Sequence, residues 1–320
     1  MADNLKGPEV GANRGWTVTF AGTGINLALG VLYAWSIISK QITKDWGWSE
    51  TQAALPYSVA IAAFALSMVP AGRMQDKFGP RLVATLGGIF CGAGFIVASL
   101  SQSLVGLVLG FGILAGTGIG FGYASATPPA VKWFPPARTG LIAGLVVAGF
   151  GLASVYIAPL ANHLLGAFGI QSTFLILGIA FLVVVVLLAQ FMKNPPAGYK
   201  PAAAAPAKPG SPAKAAPAKA DYEWGEMIRT PQFLLLWIMF VFGAGAGLMI
   251  IGKLAKIVDL QAGIKAGFIF VAMLAIGNAA GRIIAGVLSD KIGRTWTMFS
   301  VFVFQAVLMF LLAGLSSYGS

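Results

Sequence analysis

The stretch GRMQDKFGPR at residues 72–81 returns in a related form, GVLSDKIGRT, at residues 286–295. Both copies follow the pattern G-x-x-x-D-K-x-G, and they lie 214 residues apart. The first copy follows the second long apolar run of the chain, and the second copy follows the eighth. Because duplication of a six-span unit places the same loop after spans two and eight, the pattern predicts two related halves.

The composition is that of a membrane protein. Of the 320 residues, 58% are hydrophobic and 10% are charged, whereas soluble domains have roughly 45–50% apolar and about 25% charged residues. Most of the apolar runs are close to the roughly 20 residues that a helix needs to cross a bilayer, and they are continuous rather than alternating. The sequence therefore predicts an all-α membrane protein with nine spans, at about 17–39, 53–71, 82–100, 104–126, 139–161, 170–192, 232–258, 264–288 and 296–315.

The basic residues are distributed unevenly between the predicted loops. With the N-terminus inside, fifteen of the 21 Lys and Arg residues lie on the inner side and five on the outer side, while Arg282 lies within a span. This positive-inside bias accounts for the net charge of +11, so no nucleic-acid partner is expected. It predicts a multi-pass protein of the cell inner membrane, surrounded by lipid, with a cytoplasmic N-terminus.

Residues 194–220 are rich in Pro, Ala and Lys and have little that packs a core. This composition predicts an extended cytoplasmic linker, whose lysines either are simply solvated or contact anionic lipid headgroups. A short interfacial helix is expected within residues 221–233, before the seventh span. The predicted organisation is a six-helix half at 1–193, a linker with that helix at 194–230, and three further helices at 231–320.

Three stretches carry a resemblance to a known family: NLALGVLYAWSI (26–37), GIGFGYASATPPAVKWFPPARTGLIAGLVVAGFG (118–151) and RTPQFLLLWIMFVFGAGAGLMIIG (229–252). With the duplicated loop and central linker, they resemble the major facilitator superfamily, in its oxalate:formate antiporter and monocarboxylate transporter branch. The resemblance implies a helical bundle with nine of twelve expected spans. The chain is then expected to be either a fragment of a longer transporter or a truncated gene product.

Arg282 lies about eight residues before the inner loop, which places it roughly 12 Å deep at 1.5 Å per residue. An arginine near the centre of a span costs about 2.5–3.5 kcal/mol on insertion scales and usually faces a bundle interior or an aqueous cavity. Asn278 lies one turn away on the same helix face, and a guanidinium with an amide suits a carboxylate. Arg282 is therefore interpreted as a counter-ion for a small organic anion; alternatively it snorkels or pairs with an acid elsewhere.

Further ligand contacts are expected from two tyrosines and a leucine. Tyr123 in the fourth span and Tyr33 in the first have hydroxyl groups that need partners inside a membrane, either a substrate carboxylate or a neighbouring backbone carbonyl. The resemblance favours substrate contact for Tyr123, and it implies that Leu145 forms an apolar wall of the site.

The resemblance also bears on coupling. Animal monocarboxylate transporters carry an aspartate four residues before the corresponding arginine and a lysine in the first span, where this chain has Asn278 and Ala34-Trp35-Ser36. The implied activity is secondary transport, by alternating access, of monocarboxylates such as lactate or pyruvate, or of oxalate or formate. Proton symport and anion exchange both stay open.

The repeated loops have a mechanical interpretation. Asp76 and Asp290 follow inner helix ends and can accept bonds from basic neighbours or helix N-termini. By resemblance, the loops latch the outward-facing state, with Gly72, Asp76 and Arg81 in one copy and Gly286, Asp290 and Arg294 in the other. The alternative is generic anchoring to the inner membrane surface. In the fifth span, Gly140, Gly144, Gly149 and Gly151 predict close helix packing.

No nucleophile has an evident base, and no His, Cys and carboxylate cluster has metal-ligand spacing. The sequence therefore predicts neither an enzyme nor a resident cofactor or metal. The alternative to a transporter is a truncated, non-transporting membrane sensor or assembly partner.

Overall fold

The computed structural model describes residues 8–199, 201, 222–262 and 267–316, and this part of the chain is helical with short turns. The α-helices in chain order are α1 (Pro8–Leu29), α2 (Trp35–Trp46), α3 (Glu50–Phe78), α4 (Pro80–Ser99), α5 (Leu104–Leu107), α6 (Gly116–Lys132), α7 (Thr139–Ala189), α8 (Trp224–Met227), α9 (Pro231–Ala262), α10 (Gly267–Ile292) and α11 (Arg294–Ser316). A 3-10 helix (Gly30–Ala34) joins α1 to α2, and a π-helix (Val108–Ala115) joins α5 to α6.

Within the described residues, eight helical stretches are long and apolar enough to cross a membrane. The longest covers Pro136–Ala189 and has 54 residues, far more than one crossing requires. Gly169, with φ 76° and ψ 177°, breaks α7 into two helices at 139–168 and 170–189. Glycine adopts this conformation without the steric penalty that a side chain incurs. With that break, the stretches correspond to the nine predicted spans.

The two copies of the repeated loop share their backbone conformation. In the first copy Gly79 ends α3 with φ 87°, and in the second Gly293 separates α10 from α11 with φ 89°. Both residues are the last glycine of the shared pattern, and their positive φ angles lie in a region of backbone conformation that favours glycine. The last glycine of the pattern therefore has a similar φ in both copies.

The helices group into two compact units, and α10 belongs to the first. The first unit comprises residues 1–202 and 268–297, and the second comprises residues 203–267 and 298–320. Small residues allow close helix contact in the first unit: a Cβ built on Gly87 would lie 2.6 Å from the backbone nitrogen of Gly122. In the same unit, the buried rings of Trp35 and Phe111 stack with centroids 4.2 Å apart.

Glycines of α7 bring α10 against the first six spans. A Cβ on Gly144 would lie 2.6 Å from the carbonyl oxygen of Arg282, and Gly140 and Gly286 contact each other's backbone so closely that neither position has room for a side chain. The predicted close packing of the fifth span is therefore confirmed. The backbone of Arg282 is therefore in direct contact with α7.

The second unit contains α9 and the later part of α11. Gln305 donates a hydrogen bond from Nε2 to the carbonyl oxygen of Gly243 at 2.8 Å, and the ring of Phe302 packs on Gly243. Ahead of α9, the predicted interfacial helix corresponds to the single turn α8. Most of the predicted linker, residues 202–221, lies outside the described residues, and the division at 193 and 231 stays a prediction.

Candidate functional site

Arg282 is the central residue of the apolar stretch Ala272–Ile292. Its Nε donates to the Asn278 side-chain oxygen at 2.7 Å, one helical turn away. Asn278 therefore occupies one edge of the guanidinium and restricts its orientation. Gly151 of α7 makes room for this pair, because a Cβ there would lie 2.8 Å from Asn278 Oδ1 and 3.3 Å from Arg282 Nε.

Both predicted tyrosines meet this arginine. Arg282 Nη2 donates to the Tyr33 hydroxyl at 3.4 Å, and the Tyr123 side chain is close enough to the same guanidinium to interact with it electrostatically. Tyr33 is on the 3-10 helix between α1 and α2, whereas Tyr123 is on α6. Four residues singled out from the sequence therefore lie together, although they come from three separate helical segments.

Two phenylalanines that the sequence reasoning missed complete an aromatic cluster at this site. Phe150 of α7 contacts Tyr33 and Tyr123 edge-to-face, with ring centroids 5.4 Å and 5.2 Å apart. Phe64 of α3 stacks on Phe150 at 6.1 Å and meets Tyr123 at 5.5 Å. A single phenylalanine in an apolar span has no pattern that marks it, so no sequence signal identified either ring.

Leu145 is half-buried on α7, next to Gly144. Its backbone carbonyl accepts a long hydrogen bond from the Thr23 hydroxyl, at 3.4 Å. This contact belongs to the packing of α7 against α1. The expectation that the Leu145 side chain forms a wall for a ligand stays a prediction.

The second loop copy makes a direct contact with α7. The Asp290 carboxylate accepts the backbone N–H groups of Gly140 and Leu141, each at 2.9 Å. Arg294 Nη2 lies 3.1 Å from Asp290 Oδ1, and the aspartate side chain is only 8% exposed. Because the free N–H groups at a helix start carry partial positive charge, a carboxylate here is stabilised by charge-assisted hydrogen bonds.

The first copy makes different contacts. Asp76 is 70% exposed and pairs with Lys132 of α6 at 3.8 Å. Arg81 donates from Nη2 to the Gln190 carbonyl oxygen at 2.8 Å, and within the described residues a Cβ on Gly72 would meet nothing within 4 Å. The sequence repeat therefore does not produce equal contacts, since only the second copy reaches a helix N-terminus in the described part of the chain.

Comparison with known proteins assigns the family. The family model described as Major Facilitator Superfamily matches residues 15–320. The chain belongs to this superfamily. An uncharacterized MFS-type transporter of Escherichia coli, YhjX, is 31% identical over 280 residues, which cover 87% of this chain and 67% of that protein.

Other relatives belong to the branch expected from the sequence. The oxalate:formate antiporter of Oxalobacter formigenes is 29% identical, with 91% of this chain and 66% of the antiporter covered. Human monocarboxylate transporter 11 is 26% identical, with 91% and 59% covered. The chain thus spans about two thirds or less of the length of these relatives, and the predicted family and branch are confirmed.

A solved structure supports the fold. A bacterial homologue of the human lysosomal transporter Spinster, in an inward-facing and unoccupied conformation, superposes with a TM-score of 0.56. It is 20% identical, and the match covers 95% of this chain and 74% of that one. The all-α fold of the superfamily is confirmed. The chain is a multi-pass membrane protein whose relatives are transporters, so the expectation that it is not an enzyme is confirmed.

Proposed function

We propose that this chain belongs to a secondary transporter of small organic anions that works by alternating access, with Arg282 as the substrate counter-ion. The observation that carries the proposal is the guanidinium in the middle of a span, where the partners described above are the neutral side chains of Asn278, Tyr33 and Tyr123. A cation in the middle of a span that lacks a compensating charge is costly, whereas a bound carboxylate supplies that charge.

The arrangement favours a carboxylate over other anions. With Nε of Arg282 donating to Asn278 and one N–H of Nη2 donating to Tyr33, the remaining N–H groups of the two terminal nitrogens can donate to a ligand. A guanidinium binds the two oxygens of a carboxylate in a fork geometry, and phenol hydroxyls can donate to the same oxygens. The names of the relatives, which transport oxalate, formate or monocarboxylates, support lactate, pyruvate, formate and oxalate as test substrates.

The neutral Asn278 favours anion exchange over proton symport. A proton-coupled site needs a titratable group that exchanges charge with the arginine. On α10 the one acidic residue is Asp290, eight residues from Arg282, and it is engaged with Gly140 and Leu141. An empty site leaves the arginine without a compensating charge, so the change between the two states costs less free energy when an anion is bound in both directions. This is the expected behaviour of an exchanger.

The contact of Asp290 with α7 supports a latch. Its carboxylate holds the end of α10 to the start of α7. In the proposed orientation, with a cytoplasmic N-terminus in the inner membrane, these helix ends lie on the inner side, where an inner gate closes. Alternating access requires this contact to open, so we infer that the loop stabilises one of the two states. The first loop copy is assigned the same role by its shared sequence.

The test compares binding and transport. Binding of radiolabelled lactate, pyruvate, formate and oxalate to the purified chain is measured by equilibrium dialysis, and counterflow of the same anions is measured with the complete gene product in proteoliposomes. Arg282→Gln is expected to lower binding at least tenfold, because the charge is lost while a polar side chain is kept. Arg14→Gln, which removes an exposed arginine in the second turn of α1, is the control.

Each outcome is informative. Undiminished binding in Arg282→Gln would contradict the counter-ion role. Binding of these anions without counterflow would favour the alternative of a membrane sensor. Counterflow that needs a second anion on the opposite side, and that is unchanged by an imposed pH gradient, supports exchange; strict dependence on the pH gradient overturns it.

A further inference from the structure

Phe150 lies at the point where the aromatic residues of the site meet. Its ring contacts Tyr33 from the first span and Tyr123 from the fourth, with interplanar angles of 78° and 83°. Edge-to-face contacts of this kind are the favoured geometry for aromatic pairs. A single buried ring, 5% exposed, therefore fixes the rings that bear both hydroxyl groups beside Arg282.

The backbone at the same residue fixes the segment that carries Tyr33. A Cβ on Gly30 would lie 2.5 Å from the carbonyl oxygen of Phe150 and would collide with the Cβ of Ala153. Gly30 begins the 3-10 helix Gly30–Ala34, whose three-residue turn orients its side chains differently from a continuous α-helix. Gly30, which lies three residues before Tyr33, therefore holds the 3-10 helix against α7 at Phe150.

A third ring also contacts Phe150. Phe64 stacks on it with an interplanar angle of 21°, and Phe64 contacts Tyr123 edge-to-face at 80°. These three rings come from α3, α6 and α7, so the position of Tyr123 is set from two directions. The next residue on α7, Gly151, leaves the space that Asn278 and Arg282 occupy.

We propose that Phe150 is a positioning residue that sets anion affinity by holding the Tyr33 and Tyr123 hydroxyls against Arg282. This inference rests on the proposed function. The Phe150 side chain has no hydrogen-bonding group, so its effect on the binding of a carboxylate passes through the two tyrosines. A purely structural role for Phe150 predicts instead a loss of stability that does not depend on the tyrosine hydroxyls.

A double-mutant cycle separates these roles. Phe150→Leu is made in the native chain and in the Tyr33→Phe, Tyr123→Phe background, which keeps both rings but removes both hydroxyls. Binding of radiolabelled oxalate and lactate is measured by equilibrium dialysis, and unfolding temperature is measured on the same samples. Phe150→Leu is expected to weaken binding about tenfold in the native chain and less than about threefold in the hydroxyl-free background, since coupled residues are non-additive.

Three further variants make the test specific. Phe150→Tyr keeps the ring and is expected to bind within about threefold of the native chain. Phe181→Leu truncates another buried ring, which packs on Phe95 at 5.3 Å, and is expected to lower stability without weakening binding. Phe150→Met, of similar volume, replaces Phe150→Leu if that variant does not fold, and the same non-additivity is expected.

Equal losses in both backgrounds, or equal weakening by Phe181→Leu, would overturn the positioning role. If Arg282→Gln abolishes binding while Phe150→Leu leaves it unchanged, this inference fails and the proposed function stands. If Arg282→Gln leaves binding unchanged, or if the native chain binds neither anion, the proposed function fails and this inference fails with it.

Discussion

The Asp290 carboxylate of α10 accepts the backbone N–H of Gly140 at 2.9 Å, across 150 residues of sequence. The adjacent N–H of Leu141 bonds the second carboxylate oxygen. Two charge-assisted bonds to a helix start are stronger than neutral ones, and each is worth roughly 1.5–3 kcal/mol when the partner is charged. This contact joins the end of the eighth span to the start of the fifth, and it is the part of the predicted latch that has a geometric basis.

Neutralising Asp290 is expected to release this contact. Asp290→Asn retains one acceptor but loses the charge, so the inner end of α7 should open more often. We expect faster labelling of a cysteine introduced at Leu141 by a membrane-impermeant maleimide added to inside-out vesicles. Asp45→Asn, which alters an exposed carboxylate bonded to Gln41, is the control and should leave labelling unchanged; equal labelling in both would contradict the latch.

Adding one methyl group at Gly144 is expected to separate α10 from α7. The new Cβ would meet the Arg282 carbonyl oxygen at 2.6 Å, and backbone cannot yield as the end of a side chain can. Overpacking of this kind costs about 1–3 kcal/mol, so Gly144→Ala should lower the unfolding temperature and weaken anion binding.

Gly166→Ala is the matched control on the same helix, because its Cβ would meet nothing within 4 Å. That change should be neutral or stabilise the chain by up to about 1 kcal/mol through helix propensity. Unfolding followed by tryptophan fluorescence in detergent checks both. If the two variants shift the midpoint equally, the close contact at Gly144 is not limiting.

Replacing Asn278 by aspartate is expected to weaken anion binding. Arg282 Nε lies 2.7 Å from the Asn278 side-chain oxygen, so an aspartate carboxylate at this position would lie beside the guanidinium. It would neutralise the positive charge of Arg282 that binds the anion. At pH 7.5 we expect at least tenfold weaker oxalate binding in Asn278→Asp than in the native chain.

The control for this prediction is Asn278→Ala, which removes the amide without adding charge. It should weaken binding only modestly. Oxalate and lactate binding measured by equilibrium dialysis at pH 7.5 distinguishes the variants. Equal losses in Asn278→Asp and Asn278→Ala would show that the carboxylate does not neutralise the guanidinium.

Trp133 anchors the chain that leaves the sixth span. Its Nε1 donates to the Lys193 carbonyl at 2.9 Å, and its ring contacts Tyr199 at 5.2 Å. Trp133→Phe keeps an aromatic ring but loses this donor, so we expect trypsin to cleave after Lys193 several-fold faster in the purified protein. Trp48→Phe, on the predicted outer side, is the control. The early fragments are identified by mass spectrometry. If both variants are cleaved after Lys193 at the native rate, Trp133 does not anchor this segment.

Some of this protein could be predicted from its amino-acid sequence because the signal is local. Apolar runs of bilayer length predicted the spans, since a helix satisfies its own backbone hydrogen bonds in lipid. The G-x-x-x-D-K-x-G repeat predicted two equivalent loops, and the positive φ of Gly79 and Gly293 explains their shared glycine. Arg282 was found because an arginine in the middle of an apolar span is rare for energetic reasons.

The tertiary structure decided which residues meet. Arg282 and Tyr33 are 249 residues apart in the chain, and no periodicity relates them. Phe150 and Phe64 are ordinary members of apolar helices, so their role in the aromatic cluster follows only from helix packing. The same holds for the loops: identical motif residues at Asp76 and Asp290 have different partners, because a carboxylate binds what its neighbouring helices present rather than what its own motif specifies.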